Sequence, residues 1–100
     1  MINKKRYSLE KSIENEIIEL AKRYNFKKVI LFGSRARGDN NDRSDIDLAI
    51  SGGDFVNFSL DVEEKIFTLL KFDIVNLDKE NKIDFLNEIE RDGIVLYEKN

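Results

Sequence analysis

The sequence predicts an α/β protein built on a small mixed β-sheet of three to four strands, with helices packed on the sheet. Apolar residues recur at helical spacing in three segments, and short apolar runs typical of strands lie between them. Glycine or polar residues separate the two kinds of segment, and the resulting order of helices and strands indicates one layered unit. With 100 residues, the chain has the length of one domain, so we expect residues 1–100 to form a single domain.

The first half of the chain alternates one helix with two strands. Apolar spacing predicts an amphipathic helix over 8–24, with Ser8 as its N-cap and Asn25 at its end. A short apolar run at 29–32 predicts a buried strand that closes in glycine and serine. A very polar segment follows, and the alternating residues 45–51 then predict the second strand.

The second half repeats the pattern twice. Apolar residues at intervals of three and four predict a helix over about 57–70, and the run 72–77 predicts a third strand. Asp78 is expected to cap a third helix, which Gly93 ends. Residues 94–97 form the last predicted strand, so the chain contains no linker and no internal repeat.

The composition excludes several classes of catalyst. The chain has no His, Cys, Pro or Trp, so it cannot carry a Ser-His-Asp triad, a thiol nucleophile, a zinc finger or a disulfide framework. Any metal must be held by oxygen ligands, which indicates Mg²⁺ or Mn²⁺. Apolar runs reach only four or five residues, too short for a membrane span, and we expect a cytoplasmic protein.

The net charge of −3 conceals an asymmetry between the two halves of the chain. Residues 1–43 hold 11 basic and 6 acidic side chains, whereas residues 44–100 hold 6 basic and 14 acidic ones. This division suits an anionic ligand that a metal ion bridges to carboxylates, and it equally suits a charged partner surface.

The pair Asp45 and Asp47 is the strongest local signal for chemistry. Residues two apart on a strand point to the same face, with Cα atoms about 6.6 Å apart, so both carboxylates can reach one cation. Ile46, Leu48 and Ile50 face the other way, into apolar packing. The alternative interpretation is a sheet with one solvated face, on which such a pair has no role.

Asp73 favours the metal site over that alternative. It interrupts an apolar strand, where an isolated charge is unfavourable. If the third strand pairs beside the second, Asp73 joins Asp45 and Asp47 and completes an oxygen site suited to Mg²⁺ and to phosphoryl chemistry. A salt bridge between Asp73 and an Arg or Lys of the first half remains the alternative.

Gly33 and Ser34 end the strand that precedes the acidic pair. Glycine lets the backbone approach a ligand closely, and the N–H groups of a following helix start would point at an anion. An ordinary turn glycine is the alternative. The glycine spacing of residues 33–38 matches a P-loop, but Asp39 and Asn40 stand where that motif requires Lys and Ser or Thr, so we exclude a P-loop.

Three arginines of the polar segment are candidates for holding phosphates. Arg35 and Arg37 can clamp a triphosphate from this loop, and Arg43 is a weaker candidate. Each of them could instead be a solvated surface charge.

The residues Gly33-Ser34, a ten-residue gap and Asp45-Ile46-Asp47 resemble the signature of the DNA polymerase beta superfamily of nucleotidyltransferases. The segments Gly-Ser-Arg-Ala-Arg-Gly, Ser-Asp-Ile-Asp-Leu-Ala-Ile, Phe-Asp-Ile-Val and Gly-Ile-Val-Leu-Tyr are similar to the minimal nucleotidyltransferases of bacteria and archaea. The similarity spans roughly residues 9–98, and it implies the polymerase-beta-like nucleotidyltransferase fold.

The resemblance also implies roles for these residues. Gly33 and Ser34 would hold the phosphates of a nucleoside triphosphate. Asp45 and Asp47 would bind the metal ions, and Asp73 would complete the site and help to activate the attacking hydroxyl. A hydroxyl would attack the α-phosphorus of the nucleotide, pyrophosphate would leave, and Mg²⁺ would neutralise the developing charge.

Minimal proteins of this kind are commonly antitoxins paired with a HEPN-domain RNase toxin, and some transfer AMP from ATP to a tyrosine of that toxin. The resemblance therefore implies an adenylyltransferase antitoxin, with ATP as substrate, in a hetero-oligomer or a homodimer. Two alternatives stay open. The chain could neutralise its partner by complex formation alone, with a vestigial or regulatory nucleotide site, or it could add nucleotides to an RNA end. The absence of an aromatic-rich basic segment disfavours RNA.

Overall fold

Four helices and four strands make up the fold, which a computed structural model describes for residues 7–100. Their bounds, in chain order, are α1 Lys11–Arg23, β1 Lys28–Phe32, α2 Ser34–Arg37, β2 Ile46–Ser51, α3 Phe55–Lys65, β3 Phe72–Asn76, α4 Ile83–Asp92 and β4 Ile94–Glu98. The predicted order of elements is confirmed, with the short helix α2 as an addition.

The four strands form one mixed sheet in the order β3-β2-β1-β4. Strand β1 runs antiparallel to both β2 and β4, whereas β2 and β3 are parallel. Asp47 lies between two partners, opposite Phe32 on β1 and opposite Asp73 on β3. The predicted mixed sheet is therefore confirmed, and β3 lies at its edge.

One face of the sheet carries the larger core. Ile46, Leu48 and Ile50 point from β2 into this core and are completely buried. Phe26 and Phe58 meet there edge to face, with ring centroids 5.0 Å apart. Helices α1 and α3 supply most of the remaining members, which include Ile13, Ile17, Leu20, Ala21 and Val62.

The opposite face carries a smaller apolar cluster under helix α4. Its buried members are Phe32, Ala49 and Ile89. Phe85 of α4 packs edge to face on Phe32, with ring centroids 5.2 Å apart. Helix α4 therefore covers the middle of this face, next to the strand ends that carry the acidic residues.

Two of the predicted helix starts are wrong. Helix α1 begins at Lys11 with Glu10 as its N-cap, because Ser8 is bound elsewhere. The Ser8 amide donates to the Arg35 carbonyl at 2.8 Å, its carbonyl accepts from the Arg35 guanidinium at 3.2 Å, and its Oγ accepts from Nδ2 of Asn40 at 3.2 Å. Helix α4 begins at Ile83 rather than after Asp78, whose carboxylate accepts a hydrogen bond from the Gly52 amide at 2.8 Å. Both polar side chains tie distant segments together, and neither caps a helix.

The predicted second helix is too long at its C-terminal end. Helix α3 begins at Phe55, with the Asp54 carboxylate accepting from the Asn57 amide at 3.2 Å, and it ends at Lys65. Ile66 is already extended, with ψ 115°, and turns its side chain into the core. Residues 66–71 therefore form a loop instead of a last helical turn.

Within residues 7–100, no helix is both long and apolar enough to cross a membrane.

Candidate active site

The three predicted carboxylates meet at one end of the sheet, on the face that α4 covers. Asp45 directly precedes β2, and Asp47 and Asp73 are register partners on the parallel strands β2 and β3. Neighbouring strands lie about 4.8 Å apart, so the two carboxylates are close neighbours. Phe72 and Ile74 flank Asp73 and pack against the core on the opposite face. The alternation of both strands therefore directs their acidic side chains to one side.

The pKa of Asp47 reflects its burial and the acidic side chains around it. Burial is the main cause that raises the pKa of Asp47 to about 6 from an ordinary value of 3.8. The charges of Asp73, Asp45 and Glu88 raise that pKa further, and Arg37 opposes the rise. Asp47 is therefore a half-buried carboxylate that lacks sufficient compensating positive charge.

The chemistry of these donors fits a hard divalent cation. Carboxylate oxygens are the ligands that Mg²⁺ and Mn²⁺ prefer, and mutual repulsion among the acids is what a cation would relieve. Within residues 7–100, no three acidic side chains already stand as a closed ligand set. Asp45 and Asp73 are both exposed and can rotate, whereas Asp47 is fixed between two strands.

Gly33 and Ser34 form the turn from β1 into α2, directly beside Asp47. Gly33 has φ +76°, and a Cβ at this position would overlap Oδ2 of Asp47. The first backbone hydrogen bond of α2 runs from the Ala36 amide to the Gly33 carbonyl, at 3.1 Å. The amides of Ser34 and Arg35 precede that bond and belong to the free N–H groups at a helix start. Glycine is thus needed for both the turn and the close approach to Asp47.

Arg35 has a different place from the one expected of a phosphate ligand. Its side chain is buried, and its guanidinium donates to the carbonyls of Ser44, Ser8 and Asp42 at 3.0, 3.2 and 3.3 Å. A guanidinium engaged in this way holds the loop before β2 against α2. The expected role of Arg35 as a phosphate clamp is therefore replaced by a structural one.

Arg37, two residues after Arg35 on α2, lies at the edge of the acidic cluster. Its side chain is 39% exposed, and it pairs with Asp39 at 3.1 Å, Glu88 at 3.7 Å and Asp92 at 3.8 Å. Arg37 also lowers the pKa of Asp47, so its charge reaches the site. Of the two arginines of α2, Arg37 is the one with a partly exposed guanidinium beside the acidic cluster.

Two acidic residues of α4 were missed by the sequence analysis. Glu88 raises the pKa of Asp47, and Glu88 and Asp92 together hold Arg37. Their spacing of four residues places both on one helix face, which is the only sequence signal of their position. That signal is also common on solvated helices, so it could not single them out.

A groove of about 530 Å³ adjoins the site on the side of β3. Asp42, Arg43 and Asp45 line one part of it, and the other lining residues are Leu69, Leu70 and Lys71. Arg43 therefore lies in this groove and not in the Gly33–Ser34 turn. Asp45 belongs to both the groove and the acidic cluster.

Comparison with known proteins agrees with this geometry. The family described as "Polymerase beta, Nucleotidyltransferase" matches residues 15–100. A Methanocaldococcus jannaschii protein, the candidate protein adenylyltransferase MJ0604, is 41% identical over 68 residues. That alignment covers 66% of this chain and 66% of the relative, just under two thirds of its length.

Solved structures of toxin–antitoxin complexes contain chains of similar fold. One is a toxin–antitoxin with AMP-PNP, with a TM-score of 0.67 at 23% identity, over 87% of this chain and 74% of that chain. Another is a tri-AMPylated Shewanella oneidensis HEPN toxin in complex with an MNT antitoxin. It gives a TM-score of 0.66 at 19% identity, over 91% of this chain and 74% of that chain. The family match covers most of the sequence, and the three carboxylates lie beside the Gly33–Ser34 turn at one end of the sheet. The chain therefore belongs to the polymerase beta nucleotidyltransferase family.

Proposed function

We propose that this protein is an adenylyltransferase that transfers AMP from ATP to the hydroxyl of a tyrosine in a HEPN-domain toxin. We further propose that it acts as the antitoxin of that toxin. The convergence of Asp45, Asp47 and Asp73 beside the Gly33–Ser34 turn carries this proposal. An acidic cluster next to a glycine turn that approaches it closely suits a metal-bound triphosphate.

The relatives support the choice of nucleotide and acceptor. The similar M. jannaschii protein carries the description of a protein adenylyltransferase, and one structural neighbour contains AMP-PNP. Another contains a HEPN toxin that bears three AMP groups together with its antitoxin. These proteins share the fold of this chain, and the proposal extends their chemistry to it. ATP as substrate also agrees with the expected cytoplasmic location.

The proposed reaction is a displacement at the α-phosphorus of ATP. The acceptor hydroxyl oxygen forms a bond to this phosphorus, and the bond from the phosphorus to the bridging oxygen of the leaving group breaks. The products are an AMP ester of the acceptor and pyrophosphate. The hydroxyl proton passes to a carboxylate, for which Asp73 is our candidate, because its side chain is exposed and it lies on the edge strand β3.

Asp45, Asp47 and Asp73 are the residues that would hold Mg²⁺, and the ion would supply charge neutralisation and a template for the phosphates. The amides and the hydroxyl of the Gly33–Ser34 turn would receive phosphate oxygens. Arg37 would add a guanidinium at the same end, once a phosphate competes with its acidic partners on α4. Arg35 contributes by holding this turn in place.

The experiment is mass spectrometry of a purified HEPN-domain toxin after incubation with this protein, ATP and Mg²⁺. We expect the toxin to gain one or more AMP groups, and Asp45→Asn and Asp73→Asn each to lower the initial rate at least 100-fold. Glu16→Gln, which neutralises an exposed carboxylate on α1, should leave the rate unchanged.

Labelling of the toxin by both aspartate variants at the wild-type rate would contradict the assigned site. Absence of labelling by the wild type, with the toxin nevertheless neutralised in cells by Asp47→Ala, would favour the alternative antitoxin that acts by complex formation alone.

A further inference from the structure

The loop 66–71 between α3 and β3 presents two large apolar side chains to solvent. Phe67 is 93% exposed and Leu69 is 99% exposed, whereas Ile66 is buried and Leu70 packs against the core. Burial of such side chains stabilises a folded protein, so their exposure leaves a considerable stabilisation unused.

Hydrogen bonds hold this loop in a defined shape. The Leu70 amide donates to Oγ1 of Thr68 at 3.1 Å, and the Lys71 carbonyl accepts from the Ile46 amide at 2.8 Å. Ile66 and Leu70 anchor the two ends in apolar packing. Phe67 and Leu69 are therefore exposed on an anchored loop.

The same loop forms one wall of the groove that reaches the acidic cluster. Leu69, Leu70 and Lys71 line one side of the 530 Å³ groove, and Asp45 lines the other. A side chain that lies in this groove can therefore bring a terminal oxygen to the carboxylates while its apolar part contacts leucine.

The order of the strands decides which reactant uses the groove. Gly33 follows β1, on one side of β2, whereas β3 and the groove lie on the other side. In a displacement at phosphorus, the attacking and leaving oxygens are roughly in line. If the Gly33–Ser34 turn holds the phosphates that leave, the attacking hydroxyl must approach from the side of β3.

We propose that this groove, together with Phe67 and Leu69, is the docking site for the acceptor segment of the partner protein. The groove receives the hydroxyl-bearing side chain, and apolar residues next to it in the partner cover Phe67 and Leu69. This inference rests on the proposed function, since it assigns the second substrate of the same site.

The exposed side chains of α3 indicate the chemistry of the rest of the partner surface. Val56 and Leu60, one turn apart, are 64% and 54% exposed, and Glu63 and Glu64 are exposed beyond them. Residues 54–65 hold four acidic side chains and one basic one. The complementary partner surface is therefore apolar at its centre, with basic side chains around it.

The test compares two double variants of exposed apolar residues. Phe67→Ser/Leu69→Ser changes the proposed docking site, and Ile83→Ser/Val95→Ser changes two exposed positions at the start of α4 and on β4. For each protein we would measure the melting temperature, the affinity for AMP-PNP with Mg²⁺, the Kd for a purified HEPN-domain toxin, and kcat/KM for AMP transfer to that toxin.

We expect Phe67→Ser/Leu69→Ser to keep the melting temperature and the AMP-PNP affinity of the wild type, to weaken toxin binding at least tenfold, and to lower kcat/KM for the toxin at least tenfold. The Ile83→Ser/Val95→Ser control should match the wild type in AMP-PNP affinity, toxin affinity and kcat/KM, and only its melting temperature should fall, because Val95, which is 49% exposed, lies in strand β4.

Equal toxin affinity in the two double variants would overturn the proposed docking site. A wild-type dimer that Phe67→Ser/Leu69→Ser dissociates without loss of toxin binding would also overturn it, because a second copy would then be the occupant. If the wild type binds the toxin but transfers no AMP, the proposed reaction fails, and the Kd comparison alone decides the docking site.

Discussion

Asp47 and Leu48 are neighbours on the central strand β2, yet they belong to regions with opposite properties. Leu48 is fully buried in the large core between the sheet, α1 and α3. Asp47 lies on the other face, where burial and three acidic neighbours raise its pKa to about 6. A step of one residue therefore passes from the part of the molecule that stabilises the fold to the part that is destabilised by its own charges.

This division follows from the period of a β-strand. Each residue of β2 either joins the core or joins the α4 face, where the buried members of the cluster within residues 7–100 are Phe32, Ala49 and Ile89. The small cluster leaves the strand ends open for polar side chains. The chain thus buries most of its apolar side chains on one face and leaves the strand ends of the other face to polar side chains.

Leu48→Ala should produce the largest change in stability. Removal of a fully buried leucine side chain is expected to lower the free energy of unfolding by about 2–5 kcal/mol, because it loses apolar burial and leaves a cavity. Urea denaturation would measure this loss. At a temperature where the variant is folded, its rate of AMP transfer should stay within a few-fold of the wild type, and a rate as low as that of Asp45→Asn would contradict the division between the faces.

Arg35→Ala and Arg37→Ala sharpen the comparison within α2. Loss of the buried Arg35 guanidinium leaves the carbonyls of Ser8, Asp42 and Ser44 without their donor, and should lower the free energy of unfolding by about 2–3 kcal/mol. Arg37→Ala removes ion pairs of a partly exposed guanidinium, including the one to the less exposed Asp92, and should change stability by less than about 1 kcal/mol.

Arg37→Ala should have the larger effect on nucleotide binding, because Arg37 lies at the edge of the acidic cluster, whereas Arg35 holds the turn in place. Calorimetry should show AMP-PNP binding about tenfold weaker in Arg37→Ala than in the wild type. Arg35→Lys is a second variant at the buried position, because it keeps the charge but not the three hydrogen bonds. Equal losses of stability in Arg35→Ala and Arg37→Ala would refute the contrast.

Asp47→Asn should change stability in the opposite direction from the other variants and should increase it in the absence of metal. One pKa unit corresponds to about 1.4 kcal/mol, and the partial exposure of Asp47 reduces the expected gain to about 1–2 kcal/mol at pH 7.5.

The pH dependence of this gain has a definite sign. Folded Asp47 keeps its proton up to about pH 6, whereas the unfolded chain releases it near 3.8. The folded state binds more protons in this window, so the contribution of Asp47 to stability is lost as the pH rises through it. Melting curves in EDTA should therefore show Asp47→Asn above the wild type at pH 7.5 and equal to it below about pH 4.

Much of the fold was predictable from the sequence because strands and helices of this chain have regular apolar periods. The pairing of β2 and β3, which brings Asp73 to Asp47, follows from neighbouring strands in a small sheet. Helix α2 was not predicted, because its four residues are too few to show a period.

Other features depend on contacts that a sequence does not contain. Arg35 and Arg37 are two apart in one polar segment, and only the positions of Ser8 and Ser44 make the first a buried structural residue. The end of α3 at Lys65 is similarly hidden, because no glycine or proline marks it and the apolar residues continue to Leu70.

The buried guanidinium of Arg35 has a consequence for how the site receives its ligand. Its three partners are carbonyl oxygens rather than carboxylates, so its positive charge is not neutralised by them. Arg37, and not Arg35, is the positive charge that lowers the pKa of Asp47, so Arg35 acts on this end of the sheet through its hydrogen bonds, which hold the turn that carries Ser34. The turn is also already rigid before a nucleotide arrives, so little entropy is lost when a phosphate enters it.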